Sequence, residues 1–198
     1  MLRSISLAAL ALLLAAPGAF AQVRAADEAR VSPNARIGTT VGTTEVDVTY
    51  GRPSLRDRAV FGDESPLAPV GQVWRVGANE APTITFDGDV TIGGEMVPAG
   101  TYALLATPGD EWTVVLNKVA NQWGAFRYDA SQNQAEFMAT PMMDAPMQEQ
   151  FEIRFADVDE DSATMIMHWG TVGVPVEIVA PAAPSMDDDD EMEDMDGM

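Results

Sequence analysis

The chain has 198 residues, no cysteine, and 31 acidic against 11 basic residues, a formal net charge of -20. Without thiols there is no disulfide, no thiolate nucleophile and no cysteine ligand for zinc, and a field this negative repels nucleic acid and anionic membrane surfaces, which excludes both as partners. Frequent glycine (16) and proline (13) with 46% apolar residues indicate one domain of short elements joined by tight turns, not long helices.

Residues 1–21 have the three parts of a secretory signal. Arg3 gives a positive start, Leu7 to Ala16 is an unbroken run of Leu and Ala, and Ala19-Phe20-Ala21 supplies small residues for a cut before Gln22. The run is too short to span a bilayer, and no cysteine follows it to carry a lipid anchor. The expected mature protein is therefore exported and soluble, periplasmic or extracellular, with no membrane insertion once the signal is removed. Residues 22–36 read as a loose, polar leader.

From residue 37 the pattern turns to period two. Val46, Val48 and Tyr50 alternate with polar neighbours, which predicts a strand with one wet face. Ile84 and Phe86 repeat it, and Asp87-Gly88 turns the chain into Val90 and Ile92. Gly93-Gly94 and Pro98-Ala99-Gly100 are further turns, the second leading into Tyr102, Leu104 and Ala106. Pro108-Gly109-Asp110 leads into Trp112, Val114 and Leu116. Later strands are predicted at Phe151–Phe155, Ala163–Trp169 and Val174–Ile178. Strand signals every 8 to 12 residues, without an amphipathic helix, define an all-β domain over 37–180. Ala103-Leu104-Leu105 is apolar on both faces, which suggests two packed sheets, a jelly-roll-like β-sandwich of eight to ten strands.

Two long irregular connections interrupt the rhythm, at 51–80 and 117–147, and such connections are where function concentrates. After Pro181, the stretch to Met198 holds eight acids between 187 and 196 and no base. Like charges at that density predict a disordered tail. Its Met192, Met195 and Met198 are soft thioethers, so weak binding of divalent cations or Cu(I) is expected of the tail.

Several segments carry a family likeness: Tyr50-Gly51-Arg52-Pro53-Ser54, Arg58 with Phe61-Gly62, Val73 through Ala81, Pro98 through Tyr102, and Asn117 through Gly124. In this order they resemble the exported proteins of domain of unknown function 2911, over roughly residues 37–180. The resemblance implies an exported, mainly β domain. It brings no activity with it.

The domain from 37 to 180 has 21 acidic and only 7 basic residues, yet Arg52, Arg56, Arg58 and Arg75 fall within 24 positions, beside Asn79 and Glu80. Guanidinium forks suit carboxylate, sulfate or phosphate, and Trp123 and Tyr128 offer flat faces to a sugar ring. The predicted site is a cleft between the two connections, formed by Arg52, Arg58, Arg75, Asn79, Glu80, Trp123 and Tyr128, that binds a small anionic or carbohydrate ligand. The competing reading has these arginines pairing internally with Asp57, Asp63 or Glu80. No catalytic motif, cofactor motif or metal-ligand spacing is present. The alternatives are a hydrolase using a carboxylate or His168 in the same cleft, and a structural or metal-buffering envelope protein. His168, the sole histidine, reads as structural or surface-lying. Met138, Met142, Met143 and Met147 read as adaptable packing, with no His or Cys partner in the sequence around them.

Overall fold

The computed structural model of the chain describes residues 29–62, Ser65 and residues 67–181. The expected signal (1–21), residues 22–28 of the leader and nearly all of the acidic tail lie outside them.

Thirteen strands are seen among the described residues, and no α-helix. They are β1 (Asn34–Val41), β2 (Thr44–Gly51), β3 (Phe61–Gly62), β4 (Ala68–Pro69), β5 (Thr83–Phe86), β6 (Val90–Ile92), β7 (Glu95–Val97), β8 (Gly100–Thr107), β9 (Trp112–Asn117), β10 (Asn133–Ala139), β11 (Gln148–Ala156), β12 (Ser162–Gly170) and β13 (Val172–Val179). A six-stranded sheet has the order β1-β2-β5-β8-β9-β10, and a five-stranded sheet the order β11-β12-β13-β6-β7. All pairings within these two sheets are antiparallel.

The period-two pattern explains the layering. Val46, Val48 and Tyr50 on β2, Ile84 and Phe86 on β5, and Val114 and Leu116 on β9 point inward. They meet Phe151 and Ile153 of β11, Met165 and Trp169 of β12 and Val176 and Ile178 of β13 in one buried cluster. This is the expected β-sandwich. Fully burying each such side chain contributes about 1.5–3 kcal/mol, so many inward positions hold the sheets together without a disulfide.

Three features depart from the sequence reading. β1 begins at Asn34, inside the segment read as leader, where the sole half-buried position before Ile37 is Ala35, set between the exposed Asn34 and Arg36. β10 lies inside the connection read as irregular, since its inward row of Ala135, Phe137 and Ala139 is mostly alanine. The two-sided apolar run on β8 also has a different cause. Leu104 faces the inter-sheet core, whereas Ala103 and Leu105 join Ala81 and Val115 in a second, smaller cluster. Val73, Ala125 and Tyr128, from the two long connections, cover that cluster. The connections thus form a partial third layer outside the six-stranded sheet.

β11 is the edge of its sheet, and its outward backbone groups need partners. The start of the 51–80 connection supplies them. Phe151 N donates to Pro53 O at 2.8 Å, and Leu55 N donates to Glu149 O at 2.9 Å. Arg52 Nε donates to Phe151 O at 3.2 Å. Tyr50, from the facing sheet, completes the edge: its hydroxyl donates to Ile153 O at 3.2 Å and accepts from Ile153 N at 3.0 Å.

Tyr50→Phe removes both bonds and leaves two enclosed backbone groups unmatched, so it is expected to destabilise the protein by about 1–3 kcal/mol. Burial also pushes the Tyr50 phenol above its ordinary pKa of 10.0. Its contribution is therefore complete below the ordinary value and fades as pH rises through the folded one. Denaturant unfolding at neutral and at alkaline pH should show a gap between wild type and Tyr50→Phe that narrows as the phenol ionises.

Candidate functional site

The connection after β2 is pinned at its far end by Trp74. Its backbone makes a two-way bridge to β8, with Trp74 N donating to Ala106 O at 2.7 Å and Ala106 N to Trp74 O at 2.9 Å. Its ring is buried among aromatics: stacked on Trp169 at 6.1 Å between centroids and 14° between planes, and edge-on to Phe61, Trp112 and Phe151. With residue 74 held inward, the neighbouring Arg75 is carried partway into the protein.

Between these anchors lies a cavity of about 210 Å³. Arg56, Arg58 and Arg75 line it, with Ser32, Ser54 and the edge of the Trp74–Trp169 stack. No carboxylate is among the described residues that line it. The backbone around it is held in uncommon conformations. Arg56 and Asp57 have φ of 49° and 59°, and Val76, Gly77 and Asn79 have 45°, 130° and 66°. Left-handed backbone at non-glycine residues costs on the order of 1–3 kcal/mol each and gathers at functional sites. Gly51 and Gly77 allow the two walls to touch: a Cβ on Gly51 would sit 2.3 Å from Ala78 O, and one on Gly77 2.7 Å from Gly51 O.

The three arginines differ in what they do. Arg58 turns back on its own loop, with Nε donating to Leu55 O at 2.9 Å and Nη2 to Ser54 O at 2.8 Å. It braces the tight turn in which Arg58 N donates to Leu55 O at 3.1 Å. Arg56 is fixed by its backbone, whose N–H donates to Glu149 Oε1 at 3.0 Å, while its side chain is exposed. Arg75 is the unusual one. Its Nε is enclosed and has no hydrogen-bond partner, and it makes no ion pair among the described residues. Burial lowers the affinity of its guanidinium for the proton, and no described carboxylate opposes that effect.

Of the seven residues predicted for the site, the structure brings Arg58 and Arg75 to this cavity. The other five have different places. Arg52 spends its guanidinium on the β11 edge, through Phe151 O and, at 3.9 Å, Glu152 Oε1. Glu80 is buried and accepts from Arg30 Nη1 at 3.0 and 2.7 Å. Asn79 donates from Nδ2 to Ser32 O at 3.0 Å. Tyr128 covers the smaller core, and its hydroxyl accepts from Asn133 Nδ2 at 2.8 Å. Trp123 is bridged to Glu80 through its backbone, and its ring is 59% exposed, away from the cavity. The cleft is therefore built mainly by the 51–80 connection, with Val31 and Ser32 from the segment before β1 and Trp169 of β12 completing it, and no residue of the 117–147 connection lines it. Arg52 is paired internally, though with Glu152 and not with the carboxylates expected for it. Arg75 makes no ion pair among the described residues, and Asp63, one of its expected partners, lies outside them. His168 does not border this cavity; it lies on the outer face of β12.

Sequence reasoning missed Ser32, Ser54, Arg56 and Trp169 as lining. Arg56 and Ser54 stood within the arginine-rich segment, where their spacing was a usable signal. Ser32 and Trp169 come from distant parts of the chain and left no local trace.

The fold and this pocket define a class: a two-sheet β-sandwich whose long connection encloses a cation-lined cavity with a desolvated arginine. The chain belongs to the family described as a protein of unknown function (DUF2911), whose model matches residues 32–178. No curated protein and no solved structure matches the chain.

An enclosed guanidinium Nε with no partner destabilises the folded state, by about 1–3 kcal/mol for an unmatched polar group. Arg75→Met, which keeps the side chain's length and apolar stem, is therefore expected to raise the melting temperature. A fall comparable to the loss of a core residue would show that Arg75 has a structural role.

Proposed function

We propose that this protein is a binding module for a small anion-bearing ligand, working in the cell envelope after export. The observation that carries the reading is Arg75: a half-buried cation among the residues that line a cavity without a described carboxylate, in a protein of net charge -20. A buried charge left without a partner is destabilising, and it is tolerated where a ligand supplies the partner.

The cavity's dimensions favour one kind of ligand over another. At about 210 Å³ it is smaller than the roughly 300–1,000 Å³ of pockets that enclose drug-sized molecules. It suits a phosphate, a sulfate or the carboxylate end of a small metabolite. Sugar stacking is less well served, because Trp74 and Trp169 are 4% and 2% exposed and stacked on each other. Two fork-shaped donors, Arg56 and Arg75, with the Ser32 and Ser54 hydroxyls nearby, provide charge-assisted bonds from different sides. The hydrolase alternative loses its residues in this geometry, since neither His168 nor a described carboxylate lines the cavity.

A ligand present at about a hundred times its dissociation constant adds roughly 2.7 kcal/mol of stability. Thermal unfolding with inorganic phosphate, sulfate and small dicarboxylates should therefore give a saturable rise in melting temperature for at least one of them. That rise should vanish in Arg75→Gln and persist in Arg36→Gln, which alters an exposed ion pair with Asp47. Equal responses in wild type and Arg75→Gln would reject the assignment.

A further inference from the structure

A second cavity, of about 540 Å³, lies on the opposite surface of the sandwich, between the outer face of the five-stranded sheet and the loop after β10. Its lining includes His168 and Ile166 of β12, Arg154 of β11, and Met142, Met143 and Asp144 of the loop. His168 is 7% exposed, and its Nε2 is enclosed with no hydrogen-bond partner. A buried ring nitrogen without a partner needs an explanation.

The loop is not loosely draped. Met142 N donates to Gly173 O at 2.7 Å, Gly173 N returns to Met142 O at 2.9 Å, and Ala145 N donates to Thr171 O at 2.9 Å. Gly173 is also the residue directly opposite His168 in the β12–β13 pairing. Residues opposed in this way have Cβ positions about 4.5–5.5 Å apart. The Cβ that Gly173 lacks would be 3.0 Å from the Met142 methyl carbon, Cε. The glycine therefore leaves room for the methyl end of Met142 at the position across the hairpin from His168. Met143, the next residue, lines the same cavity and is 59% exposed, so its sulfur is free to turn. The methionines lacked a histidine partner in the sequence; the β12–β13 hairpin brings one from 25 residues away along the chain.

We propose that His168 Nε2 and the thioethers of Met142 and Met143 form a binding site for a soft monovalent metal ion, Cu(I) in the cell. Imidazole with two thioethers is a donor set selective for Cu(I). Structural zinc takes thiolate, imidazole and carboxylate, and calcium and magnesium take six or more oxygens, whereas Asp144 is the sole carboxylate lining the cavity among the described residues. The charged residues facing the site are Arg154 and Asp144, which line the cavity, and Glu152, the residue opposite His168 on β11. The site is separate from the arginine cavity and does not depend on what that cavity binds.

The protein's one histidine makes the test direct. The purified protein, labelled with 15N in histidine and 13C in methionine methyls, is titrated with Ag(I), a redox-inert stand-in for Cu(I). The Nε2 signal and the Met142 and Met143 methyl signals should move together and saturate at one ion per chain. In competition with a Cu(I) chelator, Met142→Leu/Met143→Leu should weaken binding by more than about tenfold, the loss already typical of an outer-sphere partner of a metal ligand. That pair lies on a surface loop, so it tests the site even if His168→Gln does not fold. A tail variant, Met192→Leu/Met195→Leu/Met198→Leu, should leave this event intact. The proposal is overturned if the Nε2 signal stays fixed while only tail methyls respond, or if the Met142/Met143 variant binds as tightly as wild type.

Discussion

The seat of Trp74 is the constraint on which the rest of the site depends. Its ring stacks on Trp169 inside the sandwich, and its backbone is bonded both ways to β8. An extended chain places successive side chains on opposite sides. With Trp74 fixed inward, Arg75 projects the other way, where its stem lies beside Gly124 of the 117–147 connection and is half-buried. The first half of the same connection is fixed independently, because residues 53 to 55 satisfy the exposed edge of β11. Two anchors some twenty residues apart in sequence thus bring Arg56 and Arg58 opposite Arg75. The cavity follows from the fold's need to cover an edge and bury a tryptophan, and the arginines occupy what is left.

This arrangement explains the contrast among the basic residues. Arg52 and Arg58 support structure, through Phe151 O and through Leu55 O and Ser54 O. Their positive charge is a by-product of a good fork of donors. Arg75 has no such partner among the described residues, so its burial is a cost borne by the folded state. Arg30, which drew no attention in the sequence, takes the buried Glu80.

Much of the fold was legible because the inward rows of β2, β5, β8, β9, β11, β12 and β13 use large apolar residues at strict alternation. β1 and β10 were not, since alanine, glycine and threonine give too little contrast between faces. The site was half legible. An arginine cluster in an acidic chain pointed to the connection that lines this cavity, and Arg58 and Arg75 are among its lining. Trp123 and Tyr128 were misleading for a physical reason: an aromatic residue in a long connection can cover a secondary core, as Tyr128 does, or lie exposed, as Trp123 does. Which of several arginines is unpaired depends on contacts between residues 50 to 100 positions apart, and no local pattern encodes those. The same holds for His168 and Met142, joined only by the pairing of β12 with β13 and the fold-back of the loop.

The central claim is that Arg75 is a cation awaiting an anion from outside the chain. The most direct measurement is a crystal structure of the protein soaked in selenate, read by anomalous scattering. The account predicts a selenium peak within hydrogen-bonding distance of the Arg75 guanidinium, inside the cavity it shares with Arg56. A guanidinium found paired to a carboxylate of the protein itself, with no anion in the cavity, would contradict it.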